Sequence, residues 1–265
     1  MFAKLMKYDF RSTWGLLGML SVIALGAGAL GSVVVRLMEQ GSKSGFYTTM
    51  LVIAMITVVF YLVGYCLAAM FLLLGRFYKS RFTDEGYMTF TLPVSNHQIL
   101  LSSFLNCVLG LLASMIITAV AIFIMVFFGE ANMDGQRWEF VKLCFDYVPK
   151  FLGEVGVGNT LMFLLMLLAG LISGVLIIML SITIGAIVAR KHKILMAVAA
   201  YYGIHIAITV VSVAIGTSSG FNQMTEMVET TFVGFAGCAI AGYAVLSLIC
   251  YFAMYYLTSR KLNLN

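Results

Sequence analysis

The sequence predicts an all-α integral membrane protein with six transmembrane helices and an N-terminal amphipathic helix at the membrane interface. Of its 265 residues, 62% are hydrophobic and only 10% are charged, whereas soluble domains carry about 25% charged residues. Its apolar runs also lack the alternation of apolar and polar residues that a transmembrane β-barrel requires. A single helical bundle over residues 1–265, with no second domain, is the expected architecture.

Six uncharged runs are long enough to cross a bilayer, because about 20 apolar residues in a helix span a hydrocarbon core of about 30 Å. The first run is expected to be retained as a span and not removed as a signal peptide, since no small-residue cleavage pattern follows it. The runs cover residues 14–35, 47–75, 98–129, 160–189, 194–221 and 230–259.

The segment before the first run, residues 1–12, predicts a short helix that lies in the plane of the membrane interface. Lys4, Lys7 and Arg11 recur at intervals of three and four residues and therefore share one helical face. On one interpretation they only anchor the helix to lipid headgroups. On the other, the helix is an elbow that also contacts a cytoplasmic partner.

The distribution of charge predicts that both termini are cytoplasmic, since basic residues near span ends are held inside. With that orientation the inner segments hold eleven basic and three acidic residues, and the outer segments hold five and eight. The net charge of +5 is then a property of membrane topology and of contact with anionic headgroups. It does not indicate a nucleic-acid partner.

Small residues in two runs predict close helix packing, because they let helix backbones approach each other. The first run contains Gly26, Gly28 and Gly31, and the fourth contains Gly170 and Gly174. Packing within one chain and packing between two subunits would give the same pattern.

The largest outer segment, residues 130–159, predicts an amphipathic helix on the outer leaflet. Its apolar residues recur at intervals of three and four and leave the charged residues on another face. The segment is either a structural cap or an outer gate. The apolar positions are Phe140, Cys144, Tyr147 and Phe151.

The longest inner segment, residues 76–95, interrupts two apolar runs with charged and aromatic side chains. A simple turn would need a few residues, whereas this segment has about twenty and has the composition of a protein-binding surface. A solvated connector is the alternative. Ser95 and Gln98 fit a capping box, which predicts that the third span begins at Ser95.

Three stretches resemble the short permeases of bacterial ABC transporters of the second, exporter type. They are DEGYMTFTLPVS at residues 84–95, KHKIL at residues 191–195 and the closing KLNLN. The resemblance extends over essentially the whole chain, including the basic N-terminal helix and the six spans. Met88 and Asn96 depart from it, at positions where leucine and often proline are expected.

This resemblance implies that two permeases, identical or homologous, form one transmembrane unit in the bacterial plasma membrane. Two cytoplasmic ATPase subunits would carry the ATP and Mg, so that no cofactor is expected on this chain. Each permease would bind an ATPase through a coupling helix, here residues 83–92. The implied contacts are Thr83, Asp84, Glu85, Gly86, Tyr87 and Phe90.

The sequence lacks the motifs of an ATP-hydrolysing or metal-dependent enzyme. QGSKSG at residues 40–45 has no glycine before its lysine, so it is not a phosphate-binding loop. No two of the five cysteines lie within five residues of each other, which excludes the usual metal-binding spacings. We therefore expect a subunit with no catalytic residues and no metal site.

The apolar spans, rich in Met and Phe, favour export of an amphipathic or hydrophobic cargo such as an antimicrobial peptide, a drug or a lipid. An ion-coupled secondary transporter is the alternative, although no Asp, Glu, Lys or Arg lies inside a span. An intramembrane enzyme would have to pair Ser173 with His205. His205 either has a structural hydrogen bond or lines a pathway. The polar candidates for such a lining are Tyr61, Tyr65, Asn106, Tyr201 and His205.

Overall fold

A computed structural model describes residues 2–40, 45–83, 86, 94–129, 142, 146–147, 149–150, 153, 156–189, 191–218 and 231–260. Six long helices account for nearly all of them, and each is long and apolar enough to cross a membrane. This confirms the predicted all-α class with six spans. The helices are α1 (Phe2–Gln40), α2 (Gly45–Phe82), α3 (Asn96–Gly129), α4 (Val157–Val188), α5 (Lys193–Ser218) and α6 (Thr231–Arg260).

Helix α1 differs from the expected arrangement of an interfacial helix followed by a span. Its 39 residues form one continuous helix, about 58 Å long at 1.5 Å per residue. The reason is local, since neither glycine nor proline occurs between residues 2 and 14 to end the first turns. Lys4, Lys7 and Arg11 are exposed, while Asp9 is buried on another face.

The described helices belong to two compact units, and the division falls within α2 and α3. The N-terminal unit contains residues 3–76 and 105–129, which are α1, most of α2 and most of α3. The C-terminal unit contains residues 77–83 and 94–104, together with α4, α5 and α6.

Glycines bring helices of the N-terminal unit into backbone contact. A β-carbon added at Gly28 would lie 2.6 Å from the carbonyl oxygen of Ala121, and one added at Gly31 would lie 2.8 Å from the sulfur of Met125. A β-carbon at Gly26, in contrast, would meet no atom within 4 Å. Of these three glycines, Gly28 and Gly31 therefore serve packing within the chain.

Hydrogen bonds between side chains also join the helices of this unit. The hydroxyl groups of Ser21 and Tyr65 lie 2.9 Å apart and connect α1 with α2. The thiol of Cys66 lies 3.2 Å from the hydroxyl of Thr118 and connects α2 with α3. These polar side chains inside the spans thus find partners on neighbouring helices, as an apolar medium favours.

In the C-terminal unit, α4 packs against both α5 and α6. A β-carbon added at Gly185 would lie 2.6 Å from the amide nitrogen of Ala197, so a glycine is needed where α4 and α5 meet. A β-carbon added at Gly170 would meet only the ring of Tyr243, at 3.9 Å, and one added at Gly174 would meet no atom within 4 Å. The pair of glycines in α4 therefore makes no tight contact in the described part of the chain.

We predict that Gly28→Ala lowers the stability of the purified protein, by about 1–3 kcal/mol, because the new methyl group would overlap the backbone of Ala121. Gly26→Ala is the matched control, since its methyl group would enter open space. It should leave stability unchanged or raise it by up to about 1 kcal/mol, because alanine favours the helix over glycine. Thermal unfolding in detergent measures both, and equal melting temperatures would contradict the packing.

Candidate functional site at the base of the 83–95 segment

The structure describes both ends of the segment expected to bind an ATPase. Of the implied contact residues, Thr83 and Gly86 are described, whereas Asp84, Glu85, Tyr87 and Phe90 lie outside the described residues. We use the name loop base for the last turn of α2, the two residues Thr83 and Gly86, and the first turns of α3.

Arg81 is the central residue of the loop base. Its side chain is 1% exposed, and it is the largest side chain of the described chain to be so fully buried. Its Nε donates a hydrogen bond of 3.1 Å to the hydroxyl of Ser103, and its Nη2 donates one of 3.1 Å to the carbonyl oxygen of Ile99. Because both acceptors belong to α3, the guanidinium group joins the end of α2 to the start of α3.

The structural role of Arg81 was not predicted from the sequence, where the residue counted only as an inner positive charge. A signal was nevertheless present. Leu73, Phe77 and Arg81 follow one another at intervals of four residues, and all three are buried. Arg81 thus continues the buried face of α2 beyond the apolar run.

Thr83 and Gly86, which follow Arg81, are joined by a backbone hydrogen bond. The amide of Gly86 donates a hydrogen bond of 2.7 Å to the carbonyl oxygen of Thr83. The hydroxyl of Thr83 donates to the carbonyl oxygen of Lys79 and so satisfies one of the free acceptors at the helix end. A β-carbon on Gly86 would lie 2.5 Å from the carbonyl oxygen of Arg81. Gly86 is therefore a buried packing position as well as a predicted contact.

Helix α3 begins at Asn96, directly after Ser95, which confirms the start predicted from the capping pattern. The carbonyl oxygen of Ser95 accepts hydrogen bonds from the amides of Gln98, at 2.9 Å, and Ile99, at 3.2 Å. These bonds extend the hydrogen-bonding pattern of α3 back to Ser95.

His97 connects the start of α3 to α6. Its ring stacks on that of Tyr255, with centroids 3.8 Å apart and planes inclined by 12°. Its Nδ1 and the hydroxyl of Tyr251 share a hydrogen bond of 3.2 Å. The C-terminal end of α6 therefore lies on the same side of the C-terminal unit as the loop base.

Three of the predicted pathway residues belong to the N-terminal unit, and two of these are buried packing residues. The hydroxyl of Tyr65 is bonded to Ser21. The side-chain amide nitrogen of Asn106 donates a hydrogen bond of 3.0 Å to the hydroxyl of Thr13. Tyr61, in contrast, is 41% exposed on α2.

The other two predicted pathway residues lie together on α5. The rings of Tyr201 and His205 meet edge to face, with centroids 4.4 Å apart, and His205 is exposed. Ser173 is buried in α4, where its hydroxyl donates to the carbonyl oxygen of Gly170 at 2.9 Å. The described structure therefore contains no hydrogen bond between Ser173 and His205.

The described part of the chain offers few side-chain groups for catalysis or metal binding. Among the described residues, no group of three or more His, Cys, Asp or Glu side chains could hold a metal ion. Most of the segment 130–159, predicted to be outer, lies outside these residues, and of the apolar positions of its predicted amphipathic helix only Tyr147 is described.

The fold and the loop base together define a multi-pass α-helical membrane protein in which hydrogen bonds join the end of its second span to the start of its third. Comparison of the chain with protein-family models, with curated proteins and with solved structures finds no match.

We predict that Arg81→Met loosens the loop base, because Ile99 and Ser103 lose a charged donor and the two helix ends lose their connection. The cost of about 1–3 kcal/mol should speed amide hydrogen exchange in residues 96–104 by about 10-fold or more. Lys79→Met is the matched control, since Lys79 is exposed in the same helix turn and its contact with Thr83 uses the backbone. Equal exchange in the two variants would show that Arg81 does not hold these helices together.

Proposed function

We propose that this chain is the permease subunit of an ATP-driven ABC exporter. A separate ATPase would dock on the segment between α2 and α3, and the complex would contain two ATPases and two permeases. This chain would contribute no catalytic residue, and ATP and Mg would be bound by the ATPases. The bacterial plasma membrane, with both termini cytoplasmic, is the proposed location.

The attachment of the loop base to three helices is the observation that carries the proposal. A docking segment can transmit force only if both of its ends are fixed to the helices that must move. Here the first end is fixed by Arg81, which bonds to Ile99 and Ser103. The second is fixed by His97, which packs on α6. A solvated connector would not need a buried guanidinium group, whose desolvation is costly unless its donors are satisfied.

The proposed mechanism follows from these attachments. Closure of the ATPases on ATP would displace residues 83–92. The loop base would move with them and would carry the ends of α2 and α3, and through His97 the end of α6. The spans would then rock from an inward-open to an outward-open state, which is the general mode of alternating access.

The character of the spans supports an amphipathic or hydrophobic cargo. Their uncharged runs offer no fixed charge to bind a small ionic solute. The exposed basic side chains Lys4, Lys7 and Arg11 suit contact with anionic lipid headgroups.

The proposal is tested by purifying the tagged chain from its native membrane in mild detergent and identifying stoichiometric companions by mass spectrometry. We expect an ATPase with a phosphate-binding loop. A complex that repeatedly lacks one would overturn the proposal and favour an ion-coupled transporter or an intramembrane enzyme.

We further predict that the double variant Asp84→Lys with Glu85→Lys reduces the amount of copurified ATPase at least about tenfold. Reversing both charges would replace attraction by repulsion at the proposed contact, where one unfavourable charge pair costs several kcal/mol. The control is Asp146→Lys with Glu154→Lys, which makes the same change of charge in the outer segment. The size-exclusion profile of each variant reports on folding. Unchanged ATPase recovery from a folded Asp84/Glu85 variant would exclude this contact.

A further inference from the structure

Asn106 is a buried polar residue of α3, and one of its two hydrogen-bonding atoms has no partner among the described residues. Its side chain is 4% exposed. Its Nδ2 donates a hydrogen bond of 3.0 Å to the hydroxyl of Thr13, whereas its Oδ1 is buried and accepts no hydrogen bond from the described part of the chain. A buried acceptor in this state is costly, above all in a membrane span, where lipid supplies no donor.

The hydroxyl of Thr13 determines which way the amide group of Asn106 points. Its proton is already used, because it donates a hydrogen bond of 2.8 Å to the carbonyl oxygen of Asp9. The hydroxyl oxygen can therefore only accept a hydrogen bond from Asn106, which requires the amide nitrogen to face it. Exchanging the nitrogen and oxygen of the amide would place one acceptor against another. The Oδ1 of Asn106 thus points away from Thr13 and needs a different donor.

Contacts within the N-terminal unit place Arg76 at the level of Asn106. Helices α2 and α3 run antiparallel, and a β-carbon added at Gly110 of α3 would lie 2.6 Å from the side chain of Leu73 of α2. Arg76 is three residues after Leu73, so it is level with the position three residues before Gly110. That position is directly next to Asn106.

Arg76 also lies on the face of α2 that is directed toward α1. It follows Tyr65 by eleven residues, which is about three helical turns, so the two residues share one face. On that face, Tyr65 bonds to Ser21 of α1. Arg76 makes other interactions, but its Nε is a buried donor that no acceptor among the described residues satisfies. One level of this unit therefore holds a buried donor and a buried acceptor that are not bonded to each other.

We propose that a water molecule binds between Arg76 and Asn106, at what we call the water site. It accepts a hydrogen bond from the Nε of Arg76 and donates one to the Oδ1 of Asn106. Water meets both needs because it is a donor and an acceptor, and a buried water typically makes about three hydrogen bonds to groups of this kind. Both protein atoms are buried, so the site suits a ligand as small as water.

The water site joins the three helices of the N-terminal unit at one level. Arg76 belongs to α2 and Asn106 to α3, and Asn106 is bonded directly to Thr13 of α1. This inference goes beyond the proposed function and is independent of it, because neither the water site nor its test requires an ATPase.

The test is hydroxyl-radical footprinting of the full chain in detergent. A pulse of ionising radiation converts bound water into hydroxyl radicals, which oxidise the side chains beside it, and mass spectrometry locates the products. Thr13→Cys places a reactive thiol next to the water site. Ser114→Cys is the matched control, because Ser114 and Thr13 are both 1% exposed. The hydroxyl of Ser114 also donates to a backbone carbonyl oxygen of its own helix, as that of Thr13 does.

We expect at least about tenfold more oxidation of the thiol in Thr13→Cys than of that in Ser114→Cys. Adding Asn106→Leu to Thr13→Cys removes the acceptor and keeps a branched side chain of similar size. Oxidation of the thiol should then fall to the level of the control. Equal oxidation of the two thiols would overturn the water site, and so would oxidation in Thr13→Cys that persists when Asn106 is replaced.

Melting temperatures give a second test that needs no introduced thiol. Arg76→Met and Asn106→Leu each remove one partner of the water, so the double variant should lose little more stability than the less stable single variant. Additive losses would show that the two residues share no partner and would overturn the proposal. A non-additive result without oxidation in Thr13→Cys would indicate a direct bond between Arg76 and Asn106, which also excludes the water.

Discussion

The absence of hydrogen-bonding partners in hydrocarbon is the constraint on which this structure depends. Backbone groups meet it by forming helices, and hydroxyl side chains meet it by donating to a carbonyl one turn earlier, as Thr13, Ser181 and Thr183 do. Other polar groups meet it across helices, as Ser21 and Tyr65 do. The same constraint makes His205 conspicuous, because its ring lies on an exposed face of a span.

The same need for hydrogen-bonding partners holds in the loop base, at the ends of the spans. A buried guanidinium group is unfavourable unless its donors are used, so the bonds from Arg81 to Ile99 and Ser103 also specify where the helix ends must lie. His97 adds a contact of a different kind, since stacking on Tyr255 supplies a large flat surface and the bond to Tyr251 supplies direction. The guanidinium group of Arg81 therefore joins the end of α2 to the start of α3, and the aromatic contacts of His97 join the start of α3 to α6.

The fold was largely predictable from the sequence, because the length of apolar runs is set by the thickness of the bilayer. The six helices and the start of α3 after Ser95 followed from that rule and from capping chemistry. The continuity of α1 from Phe2 onward did not follow, since amphipathic character predicts that a segment lies at the membrane surface but not whether a break separates it from the span. At the candidate site, composition predicts that residues 76–95 bind a protein, and this stays a prediction. Composition could not indicate that Arg81 reaches Ser103, because contacts between helices depend on helix rotation, which periodicity leaves undetermined.

The continuous first helix has a mechanical consequence. The 35 residues Lys4–Met38 are more than the bilayer thickness requires, and a long span adapts to a thinner membrane by tilting. The turns that carry Lys4, Lys7 and Arg11 extend about 18 Å beyond the apolar run, at 1.5 Å per residue. Over that length, a tilt of about 10° displaces the tip of a rigid helix by about 3 Å. A change in bilayer thickness therefore shifts these three positive charges among the headgroups, because they lie on the same rigid helix as the span.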